Sequence, residues 1–171
     1  IIQSTKRRSL WLGANLITAI LAAAAIGIFE ATIEKVVTLA ILMPIVASMG
    51  GIAGMQSLAL VIRSQALDQI GSSNSKLLIF KEASIGFLNG ILWSTVVALA
   101  VYFWFDSIFL GIVIASALMI NLIIGAISGV SLPLVLAKFK IDPALAGGVI
   151  LTTITDIVGF ISLLGIATII L

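Results

Sequence analysis

Residues Asp142 to Gly159 read DPALAGGVILTTITDIVG, and a single side chain in this stretch governs how the chain is understood. From Ala144 to Leu171 no residue other than Asp156 is charged. If this segment crosses a bilayer as a helix, the carboxylate lies near mid-depth, at a cost of ~3 kcal/mol or more. A neutral helix of the same composition would insert without the acid. Asp156 is therefore expected to handle an ion or a proton. The plainer alternative is a structural acid, hydrogen-bonded to a neighbouring helix.

Composition supports the membrane reading. The 171 residues are 61% hydrophobic and 9% charged, with mean hydropathy +1.33, whereas soluble domains are about half apolar and about a quarter charged. The expected fold class is an all-α, polytopic membrane protein. There is no Cys and no His, which excludes disulfides, thiolate metal sites and Ser-His chemistry. Hard cations held by oxygen remain. The pI near 9.2 comes from 9 Lys+Arg against 7 Asp+Glu, so its meaning depends on where those charges fall.

Five spans follow, taken outward from the opening stretch. The last covers 143–171 and begins at Pro143, since Pro commonly starts a helix; Lys138, Lys140 and Asp142 form the loop before it. The fourth runs from Ile108 to Leu134, interrupted by Gly125, Gly129 and Pro133, and a short Asp106–Ser107 turn separates it from the third, Ala83 to Phe105. Lys76, Lys81 and Glu82 introduce the third span, and Ser64 to Asn74 reads as a loop. Asn89 and Asn121 lie inside these helices, where an amide usually makes an interhelical hydrogen bond of ~1 kcal/mol.

The second span, Val36 to Ile62, ends at Arg63 and contains Pro44, Gly50, Gly51 and Gly54. A GxxxG pair such as Gly50 and Gly54 is more often a packing face than an ion path. Ser48, Gln56 and Ser57 add polarity that packing does not require. The first span, Leu10 to Phe29, is about 20 residues long, enough to cross the hydrocarbon and too long for a signal peptide. Glu30 to Lys35 reads as a short polar turn. The sequence does not begin with Met, so the chain is expected to be the membrane part of something longer.

Five spans place the chain ends on opposite sides. With the N-terminus cytoplasmic, Lys6, Arg7, Arg8, Arg63, Lys76, Lys81, Lys138 and Lys140 all fall inside and only Lys35 outside, a strong positive-inside bias. The basic pI then reports topology and implies no nucleic-acid partner. The outer turns, with Glu30, Glu34 and Asp106, form a mildly acidic face.

Helical spacing from Asp156 collects Gly148, Thr152, Thr153, Gly159 and Phe160 on one side, while Ile150, Leu151, Ile157, Val158, Ile161 and Leu164 occupy the others. One wettable stripe on an apolar helix fits a pore wall. Gly147 and Gly148 would loosen the helix near its cytoplasmic end. One carboxylate is too few donors for dehydrated Ca²⁺, whereas Mg²⁺ keeps its water and is often held by one or two carboxylates. In a two-fold dimer, the commonest oligomer, two copies of Asp156 would face each other, and a cation between them would relieve their repulsion.

Two motif blocks now resemble a known family. Pro44 followed by MGGIAGMQS (Met49 to Ser57) and Arg63, together with DPALAGG (Asp142 to Gly148) and TTITD (Thr152 to Asp156), are similar to the membrane domain of the MgtE magnesium channels and their solute-carrier relatives, over essentially the whole chain. The resemblance implies a homodimer in a bacterial inner membrane, surrounded by lipid, that passes Mg²⁺ inward through a pore lined by the second and fifth helices of both subunits. It implies Asp156 as the metal-binding acid. Gly50, Gly51, Gly54, Gly148, Thr152 and Gly159 are the expected pore-lining residues, and Pro44, Gln56, Arg63, Asp142 and Pro143 are expected in gating or structural roles. Ile52 stands where the family has Asn, and Val149 follows Gly148 where the family often has Pro. The family's cytosolic regulatory part, an N-terminal helical domain and a CBS pair, is expected to lie outside this chain.

A passive channel is the first expectation and a Na⁺- or H⁺-coupled exchanger the alternative. An enzyme is disfavoured. An intramembrane aspartyl protease needs two acids sharing a proton, and only Asp156 reads as deep enough.

Overall fold

In hydrocarbon a backbone N–H or C=O has only its own helix to bond to, and the five apolar stretches fold as five long helices. In the computed structural model the described residues are 2–67 and 75–170. The helices are α1 (Ile2–Gly27), α2 (Glu30–Lys35), α3 (Thr38–Ala66), α4 (Ser75–Phe105), α5 (Ile108–Lys138) and α6 (Pro143–Ile170). All but α2 are long and apolar enough to cross a membrane.

The helices outrun the apolar spans. Of the expected Ser64–Asn74 loop, the residues up to Ala66 belong to α3, Leu67 is its C-cap, and 68–74 lie outside the described residues. Similarly, α4 starts at Ser75, well before Ala83, and α5 continues to Lys138. Membrane thickness limits the apolar part only; Lys, Arg and Gln are good helix formers that carry the coil on into water.

The expected polar turn at Glu30–Lys35 is helical. Glu30 lies in its first turn and Lys35 in its last, each complementing the helix dipole. Phe29 and Ile33 rest on the core, and the Thr32 and Thr168 hydroxyls, 2.8 Å apart, tie α2 to the end of α6.

The tight connections have specific locks. Between α4 and α5, Asp106 takes a left-handed conformation (φ 50°), and the Ser107 hydroxyl accepts from the Leu110 amide at 3.3 Å to cap α5. At the other end of α5 the Lys140 amide donates to Ala137 O (3.1 Å) and the Ile141 amide to Leu136 O (3.0 Å), the paired bonds of a Schellman ending. Lys140 occupies its left-handed position at φ 57°, where Gly is the usual residue. Lys140→Gly is expected to stabilise the protein by ~1 kcal/mol, read as a higher thermal unfolding temperature in detergent. An unchanged or lower temperature would show that this turn is not strained.

Helix α5 is the hub, packing on α3, α4 and α6. At the end that carries α2, large side chains fill the centre, among them Leu42, Val46, Ile114 and Leu163. Elsewhere the helices close on glycine. A Cβ on Gly54 would lie 2.9 Å from Gly125 O, and one on Gly125 would lie 2.5 Å from Gly50 O. Gly129 presses in the same way against Gly54 and Ser57. Thus Gly50 and Gly54 of α3 interlock with Gly125 and Gly129 of α5, a close backbone approach of the kind small-xxx-small pairs allow.

The third span opens differently from expectation. Glu82 sits within α4, is buried at 6% exposure, and its Oε2 accepts a 2.8 Å hydrogen bond from the Ser57 hydroxyl on α3. Asp156 is therefore not the only acid held inside the bundle. Glu82, Gly86, Gly90 and Ser94, all buried, fall four apart and form the ridge that α4 presents to α5. This spacing was the available signal. Glu82→Ala is expected to cost ~2 kcal/mol of stability, and Glu82→Gln clearly less, since an amide oxygen still accepts from Ser57. Equal losses in thermal unfolding would refute a role confined to that bond.

Candidate functional site

The buried edges of α3 and α6 follow the i+4 rows along which helices interlock. On α6 the buried row is Gly147, Leu151, Thr155, Gly159 and Leu163. The adjacent row, Gly148, Thr152 and Asp156, is half-buried. On α3 the buried row includes Val46, Gly50, Gly54 and Leu58, while Ala47, Gly51, Met55 and Ala59, with Ser48, Ile52 and Gln56 beside them, face outward. These outward residues of α3, with Thr152 and Asp156 of α6, line an open groove of about 540 Å³.

Asp156 lies halfway along α6. Among the described residues no hydrogen bond or ion pair reaches its carboxylate, and no cluster of three or more acids, His or Cys surrounds it. On its other side Asp156 borders a second cavity, of about 230 Å³, between α1 and α6. The Thr152 hydroxyl donates to Gly148 O (3.0 Å) and Val149 O (3.1 Å), which leaves its oxygen lone pairs available to the groove.

The expected pore-lining residues divide into two groups. Gly51 and Thr152 line the groove, and Gly148 faces Met55 near it, with space for a Cβ 3.8 Å from the Met55 methyl. Gly50, Gly54 and Gly159 are instead buried in helix contacts. Gly50 backs onto the Asn121 side chain, and a Cβ on Gly159 would lie 2.8 Å from Asn121 Nδ2. The physical reason is angular: Gly50 sits one residue, or 100°, from Gly51, and Gly159 sits on the row that meets α5.

The residues expected in gating or structural roles also separate. Gln56 is exposed in the groove. Pro44 lies inside α3, on an exposed position of the i+4 row that continues through Ser48, Ile52 and Gln56. Arg63 is exposed in the last turn of α3, where a cation complements the dipole. Asp142 and Pro143 start α6: Asp142 Oδ1 accepts from the Ala144 amide at 2.9 Å, its carbonyl accepts from Leu145 and Ala146, and Pro143 is the first helical residue.

The two internal amides differ. Asn121 is fully buried and donates from Nδ2 to Val46 O at 2.8 Å, the interhelical bond expected of it. Asn89 is exposed on α4. Asn15 and Thr18 of α1, which are not among the residues expected from the sequence, line the second cavity. Their signal was polarity inside the otherwise apolar Ser9–Gly27 stretch.

Comparison with known proteins gives a consistent result. The MgtE family model, described as a divalent cation transporter, matches residues 43–166. The "Magnesium transporter MgtE" of Bacillus subtilis (strain 168) is 38% identical over 162 residues, 95% of this chain and 36% of that protein. The "Magnesium transporter MgtE" of Thermus thermophilus is 28% identical over 161 residues, 94% of this chain and 36% of its own length. That of Enterococcus faecalis is 27% identical over 167 residues, 98% and 37% respectively. The chain thus spans little more than a third of these relatives.

Proposed function

This chain belongs to the MgtE family of divalent cation transporters, multi-pass proteins of the bacterial inner membrane and not enzymes, and we propose that it conducts Mg²⁺ passively through a pore between two copies of itself. The observation that carries the reading is the unpartnered carboxylate of Asp156, halfway along α6 at the edge of the groove shared with α3.

An acid there is costly to keep without a partner, and a cation supplies one. Two grooves facing across a two-fold axis place two copies of Asp156 opposite each other, with Thr152, Ser48 and Gln56 on the walls. Mg²⁺ gives up its water reluctantly, so the carboxylates, hydroxyls and Gln56 amide hold it through its hydration shell. The N-terminus is cytoplasmic, as the basic residues favour, and flow is inward. Ile52 makes part of the α3 wall apolar, which leaves the acids as the main attraction.

The test is flux into liposomes carrying the purified chain, with a Mg²⁺ gradient and no Na⁺ or pH gradient. Uptake under these conditions is the expected result. Uptake only after a Na⁺ or H⁺ gradient is added would replace the channel with a coupled exchanger.

A further inference from the structure

Asp156 has two openings rather than one. Beyond the groove, the second cavity reaches the same carboxylate from the α1 side, lined by Asn15, Thr18 and Ala19 of α1 and by Thr152, Thr153 and Asp156 of α6. At about 230 Å³ it has room for several waters, each needing about 30 Å³ of liquid volume and two or more polar partners. Three hydroxyls, an amide and a carboxylate provide those partners.

Asn15 borders this cavity and is itself exposed. It lies inside the apolar Ser9–Gly27 stretch, beside Leu16 and Ile17, which are 62% and 63% exposed. An amide left unpaired in hydrocarbon is penalised by several kcal/mol. Yet its side chain makes no hydrogen bond among the described residues; only its backbone carbonyl accepts, from Thr18 at 2.9 Å. The hydroxyls nearby are already donating along their helices, Thr153 to Val149 O at 2.7 Å and Thr152 to Gly148 O. Their oxygens, like that of the amide, remain as acceptors, which suits the outward-pointing hydrogens of a hydrated cation.

We propose that the α1–α6 cavity is a second station for the hydrated divalent cation, and that Asn15 is a specificity-determining residue whose amide oxygen accepts a hydrogen bond from the ion's water shell. This rests on the reading of Asp156 as the ion-binding acid. It also assigns α1 a role in ion binding.

The test compares Mg²⁺ and Mn²⁺ uptake into liposomes by the parent chain, Asn15→Leu, Asn15→Gln and Asp156→Ala. Mn²⁺ exchanges its water faster than Mg²⁺ and depends less on an acceptor for an intact shell. Asn15→Leu is expected to lower Mg²⁺ uptake by about tenfold, the effect of one hydrogen bond to a charged assembly, and Mn²⁺ uptake much less. Asn15→Gln is expected to recover most of the Mg²⁺ preference. A purely structural role would lower both ions equally, and that result, or unchanged selectivity in Asn15→Leu, would overturn the proposal. If Asp156→Ala is silent in the same experiment, the reading of Asp156 survives that failure. If Asp156→Ala transports normally, both fall.

Discussion

Asp156→Ala is expected to abolish Mg²⁺ uptake while the protein stays folded. The side chain makes no hydrogen bond or ion pair among the described residues and borders open space on both sides, so its removal breaks no bond that holds the bundle. It also relieves the ~3 kcal/mol cost of a charge at this depth, and the variant should unfold at the parent temperature or above it. Transport loses its ion-binding charge. A deficit of ~3 kcal/mol in holding the cation corresponds to about 100-fold or more in flux. Asp156→Asn sharpens the point, because an amide has the same shape and still hydrogen-bonds. A structural acid would tolerate that exchange, whereas an ion site would not. Full transport by Asp156→Asn in the liposome assay would leave the carboxylate without a role in permeation.

The second large effect is on the fold. Gly54→Leu is expected to prevent assembly of α3, α5 and α6, since even a Cβ at this position would lie 2.8 Å from Leu151 Cδ1 and 2.9 Å from Gly125 O. The Leu151 side chain can turn aside; a backbone carbonyl in a helix cannot. Overpacking at such a site reaches or exceeds ~3 kcal/mol, and the variant should aggregate or unfold early on heating in detergent. Gly51→Ala is the matched control. There a Cβ meets only the Thr155 hydroxyl, at an ordinary 3.7 Å, so the fold is kept and any change falls on ion flux. A well-folded Gly54→Leu protein would contradict the interlocked-glycine packing.

Much of the architecture was legible because a bilayer simplifies the problem. Apolar runs long enough to span had to be helices, and Pro143 after Asp142 announced the start of α6. Asp156 stood out because nothing else in its helix is charged. The rest turned on which neighbour each row of a helix meets, and a single chain's periodicity does not carry that. Gly148, Thr152, Asp156 and Gly159 share one side of α6 by spacing, yet α5 covers Gly159 and leaves the other three at the open edge. Gly50 and Gly51 are adjacent in sequence and lie in different environments. The apolar run starts after Glu82, so hydropathy alone sets this residue ahead of the third span. Its true position follows from Gly86, Gly90 and Ser94, which continue its row into the bundle. Asn15 was hidden by the hydrophobicity around it, and only the packing of α1 on α6 brings it to the same cavity as Asp156.

The groove itself offers the most direct test of the central claim. The chain has no cysteine, so Ser48→Cys places one thiol on the exposed groove wall with little change in size. The measurement is Mg²⁺ flux into liposomes through this variant, before and after complete modification by a positively charged thiol reagent. The account predicts that modification stops the flux and that Mg²⁺ slows the reaction by occupying the path. Undiminished flux through fully modified protein would mean that the ion does not pass between α3 and α6.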